Sequence, residues 1–289
     1  MSIENQLKWT GERLVTDETL GKGIIEHLHR YAVALSLIKG KDVIDIACGE
    51  GYGSNLMSEN AKSVTGIDIS AEAIAHAGNK YKRHNLRFLC GSAIAFPCED
   101  KSIDVVVSFE TLEHHDKHNE MMLEIVRVLK KDGLLIISTP EKLNYNKIDK
   151  DNPFHVKELD FREFEKLITY FFHFHSFLAQ SYFHGSVILP VGEKGTHTKE
   201  YNGDFENIVE NEFNENRIYN IAIASNVALP TDIAKESFFN GAANLNVFYS
   251  QVFESSIQQN TLRIQQTTSY KLGNMIVKPL KKIWTLIKR

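Results

Sequence analysis

The run from Asp42 to Ser70, DVIDIACGEGYGSNLMSENAKSVTGIDIS, restricts the fold of this chain more than any other stretch. Val43-Ile44-Asp45-Ile46 is short, β-branched and apolar, the composition of a strand buried on both faces. It breaks into Ala47-Cys48-Gly49-Glu50-Gly51-Tyr52-Gly53, a turn of unusually small residues. A polar helix and a second apolar strand, Val64 to Ile69, come next, with Asp68 near the strand's end. Strand, glycine turn, helix, strand and acid in that order form the first half of a nucleotide-binding α/β sheet. Lacking a Cβ, Gly49 and Gly51 let the backbone approach a ligand closely. Asp68 is placed to accept hydrogen bonds from the two hydroxyls of an adenosine ribose.

Two ligand classes use such a unit. A dinucleotide site wants Gly or Ala at the last position of G-x-G-x-x-G, where this chain has Ser54. The pattern that does stand here, Asp45-x-Ala47-x-Gly49-x-Gly51, resembles the first motif of the class I S-adenosylmethionine (SAM)-dependent methyltransferases. It departs from that motif at Ala47, where the family usually has glycine. The resemblance implies SAM as methyl donor, contacted by Asp45, Ala47, Gly49 and Gly51, and by Asp68 and Ile69. Ser92 and Ala93 stand where that family contacts the adenine edge.

Alternation along the chain extends the unit. A helix is expected from Ile24 to Ile38, ending at Gly40. Its Arg30 and Tyr31 either cover the methionine end of SAM, the cation pairing with the carboxylate, or are a surface arginine and a core tyrosine. A helix over Ala71–Lys82 and strands at Leu86–Cys90, Ile103–Ser108 and Leu134–Ser138 follow, with MMLEIVRVLKK as a helix before the last of these. The expected fold is therefore a Rossmann-like α/β sheet, mostly parallel with helices on both faces. Asp160–Tyr170 reads as an amphipathic helix and Phe171–Tyr182 as an aromatic strand carrying His173 and His175, which could bind metal or simply line a half-exposed face. Residues 184–216, rich in glycine and without strong periodicity, are expected to form a loop capping the substrate. Arg217–Ala224 gives a last strand, consistent with the antiparallel hairpin that closes the class I sheet.

Beyond the fourth strand stands Ser108-Phe109-Glu110-Thr111-Leu112-Glu113-His114-His115. If a helix starts here, Glu110, Glu113 and His114 share one face, outside the carboxyl end of a strand, where such sheets place their chemistry. Two carboxylates and an imidazole could hold a divalent cation, or His114 or Glu113 could act as a metal-free base; an acid capping a helix N-terminus is the structural alternative. The arrangement E-x-x-E-H, then T-P, then F-H resembles metal-dependent O-methyltransferases acting on the terminal ribose of small RNAs. It is also similar to quinone-pathway O-methyltransferases. Carried over by position, the resemblance implies Glu110, Glu113, His114 and His155 as ligands of Mg or Mn.

GERLV, EHLHRYA, DIACGEGYGS, SFETLEH and NPFHVKELDF together look like methyltransferases of bacterial surface-polysaccharide (O-antigen-type) synthesis. That resemblance implies O-methylation of a sugar hydroxyl in a glycan, a glycolipid or a nucleotide-sugar precursor. Phenolic or RNA-ribose acceptors are rival readings, as is a non-catalytic SAM-binding scaffold for glycosyltransferases.

Composition limits the partners. Seven lysines and arginines and no acid follow Glu254, although the chain as a whole carries −4. The catalytic part is therefore acidic, which argues against nucleic acid, while the tail is basic. Its segment Leu272–Ile287 could lie on an anionic membrane surface, meet a glycosyltransferase partner, or be a solvated helix or oligomer contact. No apolar run approaches the roughly 18 residues of a membrane-spanning helix, Met1–Thr10 has no secretory h-region, and Cys48, Cys90 and Cys98 lack metal-like spacing. A cytoplasmic enzyme, peripheral at most on the inner face of the membrane, is the expectation. The domain plan is a segment 1–23 capping the cofactor site, a methyltransferase domain 24–230 and a helical tail 231–289.

Overall fold

The computed structural model describes residues 7, 13–16, 22–149, 152–182, 200–203, 208–211, 217–231, 233, 236–272, 274, 275 and 277. Trp9 and most of the basic tail lie outside them.

Helix α1 (Lys22–Leu35) leads into β1 (Asp42–Ile46), the glycine turn, α2 (Tyr52–Met57) and β2 (Ser63–Asp68). Then come α3 (Ala71–Lys80), β3 (Leu86–Cys90), β4 (Ile103–Phe109), α4 (His118–Val128) and β5 (Leu129–Pro140). The domain is completed by α5 (Lys142–Tyr145), α6 (Phe161–Phe171), β6 (Phe174–Gln180), the hairpin β7 (Glu200–Gly203) and β8 (Ile208–Asn211), and β9 (Tyr219–Ser225). The main sheet has the order β3-β2-β1-β4-β5-β9-β6. Its strands are parallel except β9, which runs antiparallel between β5 and β6. This is the expected Rossmann-like sheet with an antiparallel last strand.

Side-chain alternation divides the interior into two cores. Ile44 and Ile46 of β1, Val106 of β4, and Leu135 and Ile137 of β5 meet Met121, Met122 and Ile125 of α4 and Phe164 and Ile168 of α6. On the other face Val43, Val105, Val107 and Ile136 meet Tyr31 and Ala34 of α1 and Met57 of α2. Each fully buried side chain of this size contributes about 1.5–3 kcal/mol, so the central strands can only be apolar on both faces. The start of α6 is fixed by a capping box in which Asp160 and Glu163 each accept from the other's backbone N–H.

Several boundaries differ from the expectation. Helix α4 ends at Val128 and β5 begins at once with Leu129, because Leu129 pairs with Ile103 across the ladder. The chain reaches β6 only at Phe174, since α6 runs through Phe171; His173 precedes the strand and bonds Asn226 Oδ1 through Nδ1 at 2.8 Å. The stretch 184–216 is not wholly a loop, for it contains the β7–β8 hairpin. Cys48 is buried and Cys90 exposed.

The chain divides into two compact units, Met1–Phe239 and Asn240–Arg289. Residues 231–239 stay with the first because Ser237 Oγ lies 2.8 Å from His29 Nε2 and Phe239 packs on the His29 ring. In the second unit α7 (Ala242–Gln266) has no buried side chain among the described residues. The helix is interrupted at Thr267. Among the described residues no helix is long and apolar enough to cross a membrane.

Candidate active site

The carboxyl ends of β1, β2 and β4 lie side by side, so the glycine turn, Asp68 and the acid cluster meet along one edge of the sheet. Ala47 and Gly49 both have positive φ, 57° and 54°, and Gly51 stands at 89°. The three small residues do different work. A Cβ on Gly49 would meet only the flexible side chain of Arg13, at 3.4 Å, so this is where the backbone stays open to a ligand. At Gly51 a Cβ would lie 2.7 Å from Phe88 and 2.8 Å from Ala77. Gly51 is therefore required by packing on β3 and α3, a demand separate from ligand approach. Gly53, in turn, lies directly under the Tyr31 ring, with 1.9 Å left for a methyl group.

The acids are held by the same turn. Asp68 receives the Gly49 N–H and the Ser70 N–H, each at 2.8 Å, which aims its carboxylate along the edge and leaves further lone pairs to accept a ribose. Ile69, directly after it, is 76% exposed and offers a bare apolar surface for a flat ring. Ser92 spends its hydroxyl locally, accepting from the Ile94 N–H at 3.3 Å, and Ala93 packs against the core beneath. Asp45 is buried and accepts from Ser54 Oγ at 2.6 Å and from Tyr31 Oη at 3.4 Å; burial pushes its carboxyl up to about 7. A cation beside it would recover the ionised form.

Arg30 is not a surface residue: it is 1% exposed. Its Nη1 donates to Gln180 Oε1 at 2.8 Å and lies 3.8 Å from Glu110 Oε1, and its guanidinium sits 4.6 Å over the Tyr219 ring. Nε and Nη2 have no hydrogen-bond partner among the described residues. Buried donors of this kind are rare without a ligand. An edge with an unpartnered guanidinium, a carboxyl in need of a cation, a carboxylate aimed at a diol and a bare apolar surface fits the zwitterionic nucleoside SAM.

The acid cluster departs from the sequence reading. No α-helix begins at Glu110. Instead the chain kinks there at φ 54° and forms one 3-10 turn over Leu112–His114. The kink sends the two acids to opposite faces of the sheet. Glu110 accepts from Ser138 Oγ at 2.5 Å and joins Arg30, while Glu113 accepts from Thr139 Oγ1 at 3.0 Å. Ser138 and Thr139 are consecutive in β5, so their side chains point to opposite faces. Glu110 thus leaves the expected set of four, and Glu113, His114 and His155 remain together, with ligand atoms within 4.8 Å of one another.

Loop contacts fix those three. The Glu113 carbonyl accepts the N–H groups of Val156 and Lys157, which brings the His155 segment onto the turn. His114 Nδ1 lies 3.1 Å from the Phe154 carbonyl and His155 Nδ1 2.6 Å from Glu158 Oε1. Burial and the neighbouring Glu110 push the Glu113 carboxyl well above the usual range. Tyr145 stacks near His155 at 5.3 Å and near Tyr219 at 6.0 Å, extending an aromatic wall from the cluster toward Arg30.

Sequence reasoning missed Glu50, Thr16 and Lys80. Glu50 is fully buried in the glycine turn and accepts from Lys80 Nζ at 2.8 Å and Thr16 Oγ1 at 3.1 Å. A charged residue inside a run of small ones was the available signal.

Comparison with known proteins places this geometry. Residues 44–137 match the methyltransferase domain family Methyltransf_11. A probable S-adenosylmethionine-dependent methyltransferase of Mycolicibacterium smegmatis is 35% identical over 177 residues, 58% of this chain and 65% of that relative. Rv3030 of Mycobacterium tuberculosis, also a probable S-adenosylmethionine-dependent methyltransferase, is 32% identical over 165 residues, 56% of this chain and 60% of its own length. The chain thus spans less than two thirds of these relatives. A complex of the Haloferax volcanii Trm112 methyltransferase activator with a putative methyltransferase aligns at TM-score 0.51 and 16% identity, over 70% of this chain and 88% of that one, a likeness of fold.

Proposed function

We propose that this chain, which carries a class I SAM-dependent methyltransferase domain, moves the methyl group of SAM to a sugar hydroxyl of a surface glycan or of its lipid- or nucleotide-linked precursor. The observation that carries the reading is the meeting of Glu113, His114 and His155 at the carboxyl edge of β4 and β5, one strand from the glycine turn. SAM supplies an electrophilic sulfonium methyl group. The chain's part is to align the acceptor oxygen with that group and take its proton.

His114 suits the second task. A carbonyl oxygen can only accept, so the contact with Phe154 keeps the proton on Nδ1 and the lone pair on Nε2. Burial and the nearby Glu110 raise the Glu113 carboxyl well above its usual range, which favours its neutral form while no cation is near. An imidazolium formed at His114 by taking the acceptor's proton is stabilised by the Glu113 carboxyl oxygens beside it. The wall of Tyr145, His155 and Tyr219 supplies flat faces for the C–H side of a sugar ring, and the motifs resembling polysaccharide methyltransferases favour a sugar over a phenol.

A second reading adds Mg or Mn. Two imidazoles and a carboxylate converge, and both Nδ1 atoms face outer acceptors, the arrangement that orients metal-ligating histidines. Bound there, a divalent ion would lower the pKa of the acceptor hydroxyl.

The test is transfer from methyl-labelled SAM to a panel of glycans, glycolipids, nucleotide sugars and phenols, with and without a chelator. Label on a sugar oxygen supports the proposal, and loss with EDTA restored by Mg or Mn supports the ion. Label on phenols alone, or no transfer despite SAM binding, overturns the sugar reading.

A further inference from the structure

The described residues of the N-terminal segment, Leu7 and 13–16, are anchored against α3 and the glycine turn by independent contacts. Leu7 and Val15 are each 3% exposed and form a small apolar cluster with Ala73 of α3. Thr16 is tied to Glu50 twice, Oγ1 donating at 3.1 Å and the backbone N–H at 3.4 Å. Lys80 Nζ donates to both Thr16 Oγ1 and Glu50 Oε1 at 2.8 Å. These contacts lay the side chain of Arg13 across Gly49, with Cγ 3.4 Å and Nε 4.0 Å from where a Cβ would stand. Arg13 is half-buried, yet its guanidinium has no hydrogen-bond or ion-pair partner among the described residues.

We infer that Arg13 is a donor-binding residue, a second guanidinium beside Arg30 in the donor site that grips the carboxylate of SAM's methionine end. The inference rests on the SAM reading of the turn. SAM has a cationic sulfonium, a cationic ammonium and one anionic group, the carboxylate. A guanidinium held over the turn is repelled by the first two and can pair only with the third, and its planar fork suits a carboxylate in two parallel hydrogen bonds. Gly49 has no side chain to keep the two apart, which gives its open face a purpose. Residues 13–16 form a short strap tied to the turn through Thr16, so Arg13 joins donor binding to the Thr16–Glu50–Lys80 contacts.

The test is calorimetric titration of the full chain with SAM and with decarboxylated SAM, which lacks only the carboxylate. Arg13→Met is expected to weaken SAM at least tenfold and decarboxylated SAM less than threefold, with an unchanged melting temperature. Arg13→Lys should fall between, since it keeps the charge and loses the fork. Thr16→Val, which loosens the strap without removing the cation, should weaken both ligands equally. Equal losses of both ligands in Arg13→Met would mean that Arg13 merely covers the site, and no loss of either would remove it from donor binding; both results overturn the inference while leaving the SAM site standing. Failure of the wild-type chain to bind SAM at all would overturn the cofactor reading, and the role of Arg13 with it.

Discussion

Replacing Asp45 with asparagine should make the ligand-free protein more stable at neutral pH, and by an amount that depends on pH. Asp45 lies 1% exposed beneath the glycine turn, with Ser54 Oγ, the Ser54 backbone N–H and Tyr31 Oη as donors. Burial moves its carboxyl from the ordinary 3.8 to about 7. The folded state therefore binds the proton more tightly than the unfolded state. Below about pH 4 both states hold it and the group costs nothing; between about pH 4 and 7 stability falls as the unfolded chain ionises and the folded one resists. Above pH 7 the cost levels off at about 4 kcal/mol. The amide of the variant keeps an acceptor for the same donors and has no charge to lose. The assay is urea unfolding of wild type and Asp45→Asn from pH 4 to 8, reading the difference between them so that other titrating groups cancel. The account expects that difference to grow in favour of the variant through the window and then flatten. A difference independent of pH would refute the reasoning. Saturating SAM should shrink it in the wild type, because the ligand's ammonium supplies the missing cation.

Gly53→Ala places a methyl group 1.9 Å from Tyr31 Cζ and should lower stability by about 1–3 kcal/mol, seen as a lower melting temperature; an unchanged melt would mean that Tyr31 moves freely. His114→Ala should cut turnover by about 10²–10⁴ with SAM affinity intact, and unaltered turnover would remove His114 from the chemistry. Glu110→Gln acts on the other face: it relieves Arg30 of a competing carboxylate and should change SAM affinity more than turnover, the opposite split from His114→Ala in the same titration and rate assays.

Much of the fold could be read from periodicity because the central strands are buried on both faces and show it as short β-branched runs, such as Val43–Ile46, broken only by Asp45, and Val105–Val107. The antiparallel place of β9 was legible only through the family resemblance. The β7–β8 hairpin was hidden, since glycine and asparagine interrupt any alternation there. In the site, the place of Gly49 and Asp68 at the end of β1 and β2 could be read from the turn, whereas the burial of Arg30 could not be read from its helix, which left a surface arginine open. Glu110 misled for a physical reason: spacing of three and four implies one helical face only if the backbone is helical, and a positive φ at a glutamate is not visible in spacing. Glu113 and His114 met His155 through backbone contacts of the intervening turn, which no residue pattern encodes. The packing demand at Gly51 was not legible, because close approach by Phe88 and by a cofactor leave the same mark on the sequence. The burial of Glu50 and the reach of Arg13 across Gly49 join segments distant along the chain, and only folding brings them together.

The central claim is that SAM sits on the Gly49 turn with its reactive end facing Glu113, His114 and His155. The most direct measurement is a crystal structure of the full chain with S-adenosylhomocysteine. The account predicts the ribose on Asp68, the carboxylate on guanidinium nitrogen, and the sulfur opening toward that cluster. A ligand bound elsewhere, or a sulfur facing away from the three residues, would contradict it.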